Sequence, residues 1–133
     1  MLISTRGRYA LRVLLDLAKN QTDGYVAMKK VAERQDLPLK YIEKIMPVLS
    51  KNNYVEGVHG KGGGYRLAKD PKDYKVGDIL RLAEGDLAPV ACLSCDAKAC
   101  KRADYCQTLP MWKEFHNMVN DYFDGITLAD LMK

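Results

Sequence analysis

The chain has 133 residues, enough for one compact domain with a short appended element; 47% are hydrophobic and 29% charged, which supplies both a core and a solvated surface. No apolar run approaches the ~18 residues of a membrane-spanning helix. The N-terminal stretch MLISTRGRYALRVLLDLAKN interleaves helix-spaced apolar residues with Arg6, Arg8, Arg12 and Asp16, unlike a secretory signal, so a cytoplasmic protein without membrane contact is expected, and structural disulfides are rare in that compartment. The net charge of +4 is unevenly spread: residues 1–75 hold 15 Lys/Arg against 8 Asp/Glu, and residues 76–133 hold 6 against 9. A basic first part suits a face that binds a polyanion, although ordinary surface charge produces the same numbers.

In chain order, residues 4–20 predict a helix. Ser4 or Thr5 can cap it, and Ala10, Val13, Leu14, Leu17 and Ala18 recur at helical spacing. A loop is expected from Asn20 to Gly24. A short helix follows over about 27–35 with Met28, Val31 and Ala32 inward, then a tight turn at Gln35-Asp36-Leu37-Pro38. The next helix begins near Pro38–Leu39, buries Ile42, Ile45, Met46 and Leu49, and ends near Asn52–Asn53. Pro47 inside it predicts a kink or a tightened last turn, because its ring nitrogen cannot donate to the Glu43 carbonyl.

Two short helices joined by a tight turn are the helix-turn-helix pattern, which any helical hairpin also produces. The next segment separates the two. Tyr54–His59 reads as a strand, Gly60-Lys61-Gly62-Gly63 as a turn and Gly64–Leu67 as a returning strand, a hairpin placed where a wing would follow a recognition helix. The glycine run is not a phosphate-binding P-loop, since the G-x-x-x-x-G-K-[ST] order and a preceding βαβ unit are missing. On this reading the second helix of the pair offers Lys40, Tyr41, Glu43 and Lys44 to bases or phosphates. The start of the first helix (Ser4, Thr5, Arg6, Arg8) and Lys29 would hold phosphates, and His59, Lys61 and Arg66 on the wing would lie over the minor groove. A solvated helix face is the plainer explanation for Lys40, Tyr41, Glu43 and Lys44.

Residues 76–85 form another amphipathic helix ending at Gly85. Residues 86–107 have no sustained period and contain all four cysteines, Cys92, Cys95, Cys100 and Cys106, in a C-x2-C-x4-C-x5-C pattern. Four thiolates suit an iron–sulfur cluster or zinc, and clustered thiols also form disulfides; spacing alone leaves these open. Lys98, Lys101 and Arg102 would offset thiolate charge, and Asp96 and Asp104 oppose it. Cys92-Leu93-Ser94-Cys95 lacks the strand and helix of a thioredoxin unit, and no Ser-His-Asp set can be assembled, so an enzyme is not expected. A helix over about 109–123 follows. Its Trp112, Phe115, Val119 and Tyr122 run at 3–4 spacing, broadened by Met111, Met118 and Phe123, and predict a homodimer seam. A last short helix is capped by Thr127 with Asp130 three residues on.

The ordered set ISTRGRYALRVLLDLA, VAERQDLPLKYIEKIMPVL, GKGGGYRLAKDP, KVGDILRLAEG, a cysteine loop and LPMWKEF…ITLADL resembles the Rrf2 family of bacterial regulators, whose members include IscR and NsrR, over nearly the whole chain. The resemblance implies a mainly α fold with a small β-hairpin wing. Residues 1–75 would form a winged helix-turn-helix DNA-binding region, and residues 76–133 a cysteine-loop sensor with a long dimerisation helix. It further implies a homodimeric repressor or activator that binds a near-palindromic duplex, with an iron–sulfur cluster reporting iron–sulfur status, nitric oxide or redox state. The cysteine pattern departs from the family's five-and-five spacing: Cys100 and Cys106 keep one such gap, and the first family cysteine falls at Cys92 or Cys95, with Pro89-Val90 and Leu93 favouring Cys92. The family's non-cysteine ligands would fall at Leu109 or near Arg8, which cannot ligate, so the fourth cysteine would replace them. A zinc-binding or cofactor-free winged module with thiol chemistry, or one that binds a protein, is the alternative.

Overall fold

The computed structural model describes residues 2–20 and 24–133. Among these residues six helices and one hairpin follow the order expected: α1 (Thr5–Asn20), α2 (Met28–Gln35), α3 (Leu39–Lys51), β1 (Val55–Val58), β2 (Gly64–Leu67), α4 (Val76–Glu84), α5 (Leu109–Asp124) and α6 (Leu128–Leu131). Short 3-10 turns lie at Pro71–Asp73 and Ala91–Leu93. The loop expected over 20–24 includes residues 21–23, which lie outside the described residues.

The periodic stripes become the core. Ala10, Val13, Leu14 and Leu17 of α1 meet Val31 and Ala32 of α2 and Ile42, Ile45, Met46 and Leu49 of α3 in one buried cluster, closed by Val55 and Leu67 of the hairpin. Asp36, in the left-handed region at φ 52°, lets the chain leave α2, and its N–H and that of Leu37 bond the carbonyls of Glu33 and Ala32. Pro38 then precedes α3 directly, so the turn between the two helices is short. α3 runs unbroken through Pro47. The proline is exposed, so the unpaired Glu43 carbonyl lies where water can reach it. The helix ends in a tight turn, with the Asn53 N–H bonded to the Ser50 carbonyl.

β1 and β2 are antiparallel, with Val55 opposite Leu67 and Val58 opposite Gly64. The backbone of Val26 adds to the hairpin by exchanging hydrogen bonds with Tyr65 (2.8 and 2.9 Å), so the entry to α2 serves as a third, one-residue strand. Gly64 makes this possible. Its φ is 153°, and a Cβ there would overlap the Val26 carbonyl. Tyr74, fully buried, ties the exit of the hairpin down: its hydroxyl donates to the Tyr54 carbonyl (2.6 Å) and accepts from the N–H groups of Ala68 and Lys69 (3.1 Å each). Burial pushes the Tyr74 phenol up from its ordinary pKa.

α4 lies between two apolar clusters. Ile79 faces the main core, while Val76 and Leu80 join Leu87 in a second cluster with Ile3, Val119, Phe123 and Ile126. Arg81 pins α5 onto α4 through Asn120 (2.7 Å) and Asp124, and the nitrogen that meets Asp124 also bonds Asp78 of its own helix (3.0 Å). The chain then returns to the first core. Leu128 of α6 is buried there, its N–H donates to the Tyr74 carbonyl (3.0 Å), and Thr127 and Asp130 form the capping box expected. Residues from both parts of the chain therefore share one core.

Candidate nucleic-acid interface and cysteine loop

The orientation of the two-helix unit is fixed by a buried ion pair that periodicity does not reveal. Asp16 sits in the middle of the α1 stripe and is 2% exposed. It accepts a forked pair of bonds from Arg34 (2.6 and 3.0 Å) and one from the Gln35 amide (3.0 Å), while Arg12 reaches the Gln35 carbonyl. The hydrogen bond to Asp16 raises the Arg34 pKa from its ordinary value. A single acid on an otherwise apolar helix face was the sequence signal for this lock.

On the outside of that unit, Lys40, Tyr41, Glu43 and Lys44 of α3 are all exposed, as the buried stripe requires. Tyr41 meets the Tyr9 ring edge-on, with centroids 5.4 Å apart. Arg6 and Arg8 are exposed at the start of α1, and Arg6 shares the wall of one concavity with Tyr41 and Lys44, so the first and third helices meet at this surface. Thr5 is half-buried. The Ser4 hydroxyl and N–H both donate to one Glu84 carboxylate oxygen (2.6 and 2.9 Å). Gly7 permits that approach, since a Cβ there would lie 2.7 Å from the same oxygen.

At the wing tip His59 and Lys61 are exposed, and the turn closes with the Gly63 N–H on the Gly60 carbonyl (2.9 Å). Gly60 and Gly62 hold φ of 95° and 78°, which their side-chain-bearing neighbours could not adopt without strain. Arg66 pairs across the hairpin with Glu56 (3.0 Å) and lies 4.8 Å from the centre of the Tyr25 ring, so its guanidinium is held in place. Lys29 is exposed on α2. Its neighbour Lys30, which the sequence did not single out, is the lysine that lines a concavity with Tyr25 and the backbone of Gly62 and Gly63.

The cysteine loop begins one residue after the Gly85 cap of α4. The Asp86 carboxylate accepts from the Ala88 N–H (3.0 Å), the Ser94 hydroxyl (2.8 Å) and the Cys95 N–H (3.1 Å), and these bonds hold its pKa down at about 2. Cys92, Cys95 and Cys100 are exposed and Cys106 is half-buried. Among the described residues no three His, Cys, Asp or Glu side chains stand close enough together to hold a metal. Four thiols suit an iron–sulfur cluster in donor chemistry, but here they are spread along the loop. Their environments differ. The Asp86 carboxylate, aided by the charge of Asp96, pushes the Cys95 thiol up, while the Thr108 hydroxyl and N–H lower that of Cys106.

On α5, Met111, Phe115, Met118 and Tyr122 form a stripe at i, i+4, i+7 and i+11, each between 42% and 66% exposed. Of the four residues expected in the seam, Phe115 and Tyr122 lie in this exposed stripe, Trp112 is half-buried, and Val119 packs inward on the second cluster.

A family model described as "Rrf2: Iron-dependent Transcriptional regulator" matches residues 3–133. The chain is 38% identical over 133 residues to Protein rrf2 of Nitratidesulfovibrio vulgaris, covering all of this chain and 88% of that protein. It superposes on CymR, the global cysteine regulator of B. subtilis, with a TM-score of 0.80 at 32% identity, covering 99% of this chain and 96% of that one. A structure of T. potens IscR gives a TM-score of 0.79 at 37% identity, covering 99% and 86% of the two chains. The helix-turn-helix, the hairpin behind it and these likenesses along the full length agree: the chain belongs to the Rrf2 family of DNA-binding transcriptional regulators.

Proposed function

We propose that this protein is a homodimeric, sequence-specific regulator of transcription whose hold on operator DNA is set by its cysteine loop. The observation that carries the reading is the α3 surface. Two lysines, a tyrosine and a glutamate are exposed on a helix held on the core by Ile42, Ile45, Met46 and Leu49, directly after the α2 that Asp16 and Arg34 tie to α1, and beside a glycine-built wing. Lys40, Tyr41, Glu43 and Lys44 read the major groove, Glu43 toward a cytosine amino group and Lys44 toward guanine. Thr5, Arg6, Arg8, Lys29 and Lys30 hold phosphates. His59, Lys61 and Arg66 follow the wing into the minor groove. Ser4 acts from behind, through Glu84.

The exposed α5 stripe is the face expected to pair with a second copy, because four large apolar side chains in line are costly to leave in water. A twofold dimer would read a near-palindrome with half-sites one helical turn apart, about 10 bp, or a multiple of that. Residues 1–75 are then the reading part and 76–133 the sensing and pairing part, a division of labour within one core. The site of action is the cytoplasm.

Cys92, Cys95, Cys100 and Cys106 are the residues that would hold an iron–sulfur cluster, which supplies redox chemistry when bound. Zinc on the same thiolates, or thiol oxidation without metal, is the second reading, favoured by the unequal thiol environments. The chain's own contribution is the path from loop to DNA. Asp86 anchors residues 88–95, and two residues before it Glu84 holds Ser4 at the start of α1. Any reordering of the loop pulls on this joint.

Anaerobic purification with iron, sulfide and zinc analysis separates the cofactor readings. Brown protein that loses its colour in Cys100→Ala supports the cluster; colourless protein with stoichiometric zinc removes it and leaves the DNA reading standing. For the interface, binding to an operator selected from random duplexes is measured for two variants. Lys44→Ala should relax sequence choice, and Lys61→Ala should weaken every sequence alike. Equal losses on cognate and scrambled duplexes in both variants would show that α3 is not the reading helix.

A further inference from the structure

The concavity behind α3 has an apolar interior that DNA contact does not account for. It measures about 350 Å³ and is walled by Ala10 of α1, Ile45 and Val48 of α3, and Ile79, Leu82 and Ala83 of α4. That volume lies at the lower end of small-molecule sites. Leu49, Arg6, Tyr41 and Lys44 complete the lining, and among the described residues no acidic side chain contributes to it. Among the described residues neither Arg6 nor Lys44 is ion-paired, in contrast to Arg34, Arg66 and Arg81. An apolar hollow bearing two uncompensated cations and a phenol complements a molecule with an apolar body and one anionic end.

We propose that this cavity binds a small amphipathic anion, of the class of medium-chain carboxylates. The chain of such a ligand lies against Ile45, Val48, Leu82 and Ala83. Its carboxylate takes the charge of Arg6 and Lys44, with Tyr41 as a further polar contact. Because Arg6, Tyr41 and Lys44 are also residues offered to DNA, ligand and operator compete for them, and occupancy weakens DNA binding. That consequence rests on α3 being the reading helix; the binding site itself does not.

The test is calorimetric titration of the full-length protein with octanoate, decanoate and uncharged decanol, followed by decanoate competition in a DNA-binding assay. Decanoate should saturate one site per chain. Octanoate, two methylenes shorter, should bind roughly 15-fold more weakly, about fourfold per methylene. The double variant Arg6→Ala with Lys44→Ala should lose affinity for decanoate and not for decanol. Ala83→Phe should fill the hollow and abolish both, and its denaturant midpoint shows whether it has folded. The charge variant, altering exposed residues only, stands if it has not.

Many ligands per chain, no saturable heat, or unchanged affinity in folded Ala83→Phe would overturn the proposal. So would separation of a dimer into monomers by Ala83→Phe, which would make the hollow the seat of a second copy. Saturable binding without effect on DNA would keep the site and remove α3 as the reading helix.

Discussion

The helix-turn-helix and the cysteine loop are built in opposite ways. In the first, α1, α2 and α3 share one buried cluster, and even their polar residues are interlocked, with Asp16 bonded to both Arg34 and Gln35. In the second, from Asp86 to Thr108, Leu87 alone is buried and one carboxylate gathers the first turns by hydrogen bonds. A reader of DNA needs side chains held in fixed relation, because a base contact depends on geometry. A sensing segment needs several arrangements close in free energy, so that a small chemical change selects among them. On the proposed reading the cysteine loop is such a segment, and it meets the helix-turn-helix at Glu84 and Asp86.

Substitutions on each side should behave accordingly, and the largest effects belong to the rigid side. Arg34→Ala leaves the Asp16 carboxylate buried with only the Gln35 amide, and should cost about 3 kcal/mol in urea unfolding. Asp16→Ala leaves the cation instead, whose side chain is 36% exposed and partly screened by water, so about 2 kcal/mol is expected. The reverse order would mean that the pair is not the lock described. Gly64→Ala forces a side chain into the Val26 carbonyl at positive φ, and about 2 kcal/mol should be lost along with binding to all duplexes, since the wing detaches from α2. Wild-type DNA affinity in that variant would remove the wing from the interface.

Smaller effects should appear at the joint. Glu84→Gln keeps a side chain for Ser4 but loses the charge, and should cost under about 1 kcal/mol of stability. Its signature is functional: alkylation of the loop cysteines should change DNA affinity about 5-fold or more in the wild type and less than twofold in the variant, which is a coupling of about 1 kcal/mol. An equal response in both would disconnect the loop from α1 by this route. Smallest in global terms, Asp86→Asn should leave the unfolding midpoint almost unchanged while residues 88–95 exchange their amide protons faster. Acid should act similarly. The folded Asp86 pKa is depressed from 3.8 to about 2, so its contribution is present above about pH 4 and is lost as pH falls toward 2. Loop protection that increased on acidification would contradict this sign.

What the sequence revealed depends on distance along the chain. Helix stripes, the glycine turn, the Gly85 cap and the Thr127 capping box are local patterns, and the structure places them within a residue or two of expectation. Ser4 shows where local reasoning stops: it looks like a cap or a phosphate ligand, yet its partner is Glu84, eighty residues away. Arg66 likewise reads as a wing cation offered to DNA and is paired with Glu56, and Arg34, which no sequence pattern singles out, is bound to Asp16. Long-range polar pairs have no periodicity, so a single sequence at most flags one partner, as it does with Asp16 on the apolar face of α1, and never names the other. The α5 stripe was legible as apolar but not as to which residues face inward, because Val119 and Phe123 share its spacing and α4 takes them. The cysteines were legible as a set by their density alone; how far apart their thiols stand was not.

The most direct test of the central claim is the affinity of the purified protein for duplex DNA between 50 and 200 mM salt, a range in which phosphate-gripping proteins lose about 10³–10⁵ in affinity. The account expects log affinity to fall linearly with log salt by about 0.9 for each neutralised phosphate, with the slope reduced by about that amount for each wing removed from contact by Lys61→Ala. A flat response, or a slope untouched by the loss of Lys61, would contradict it.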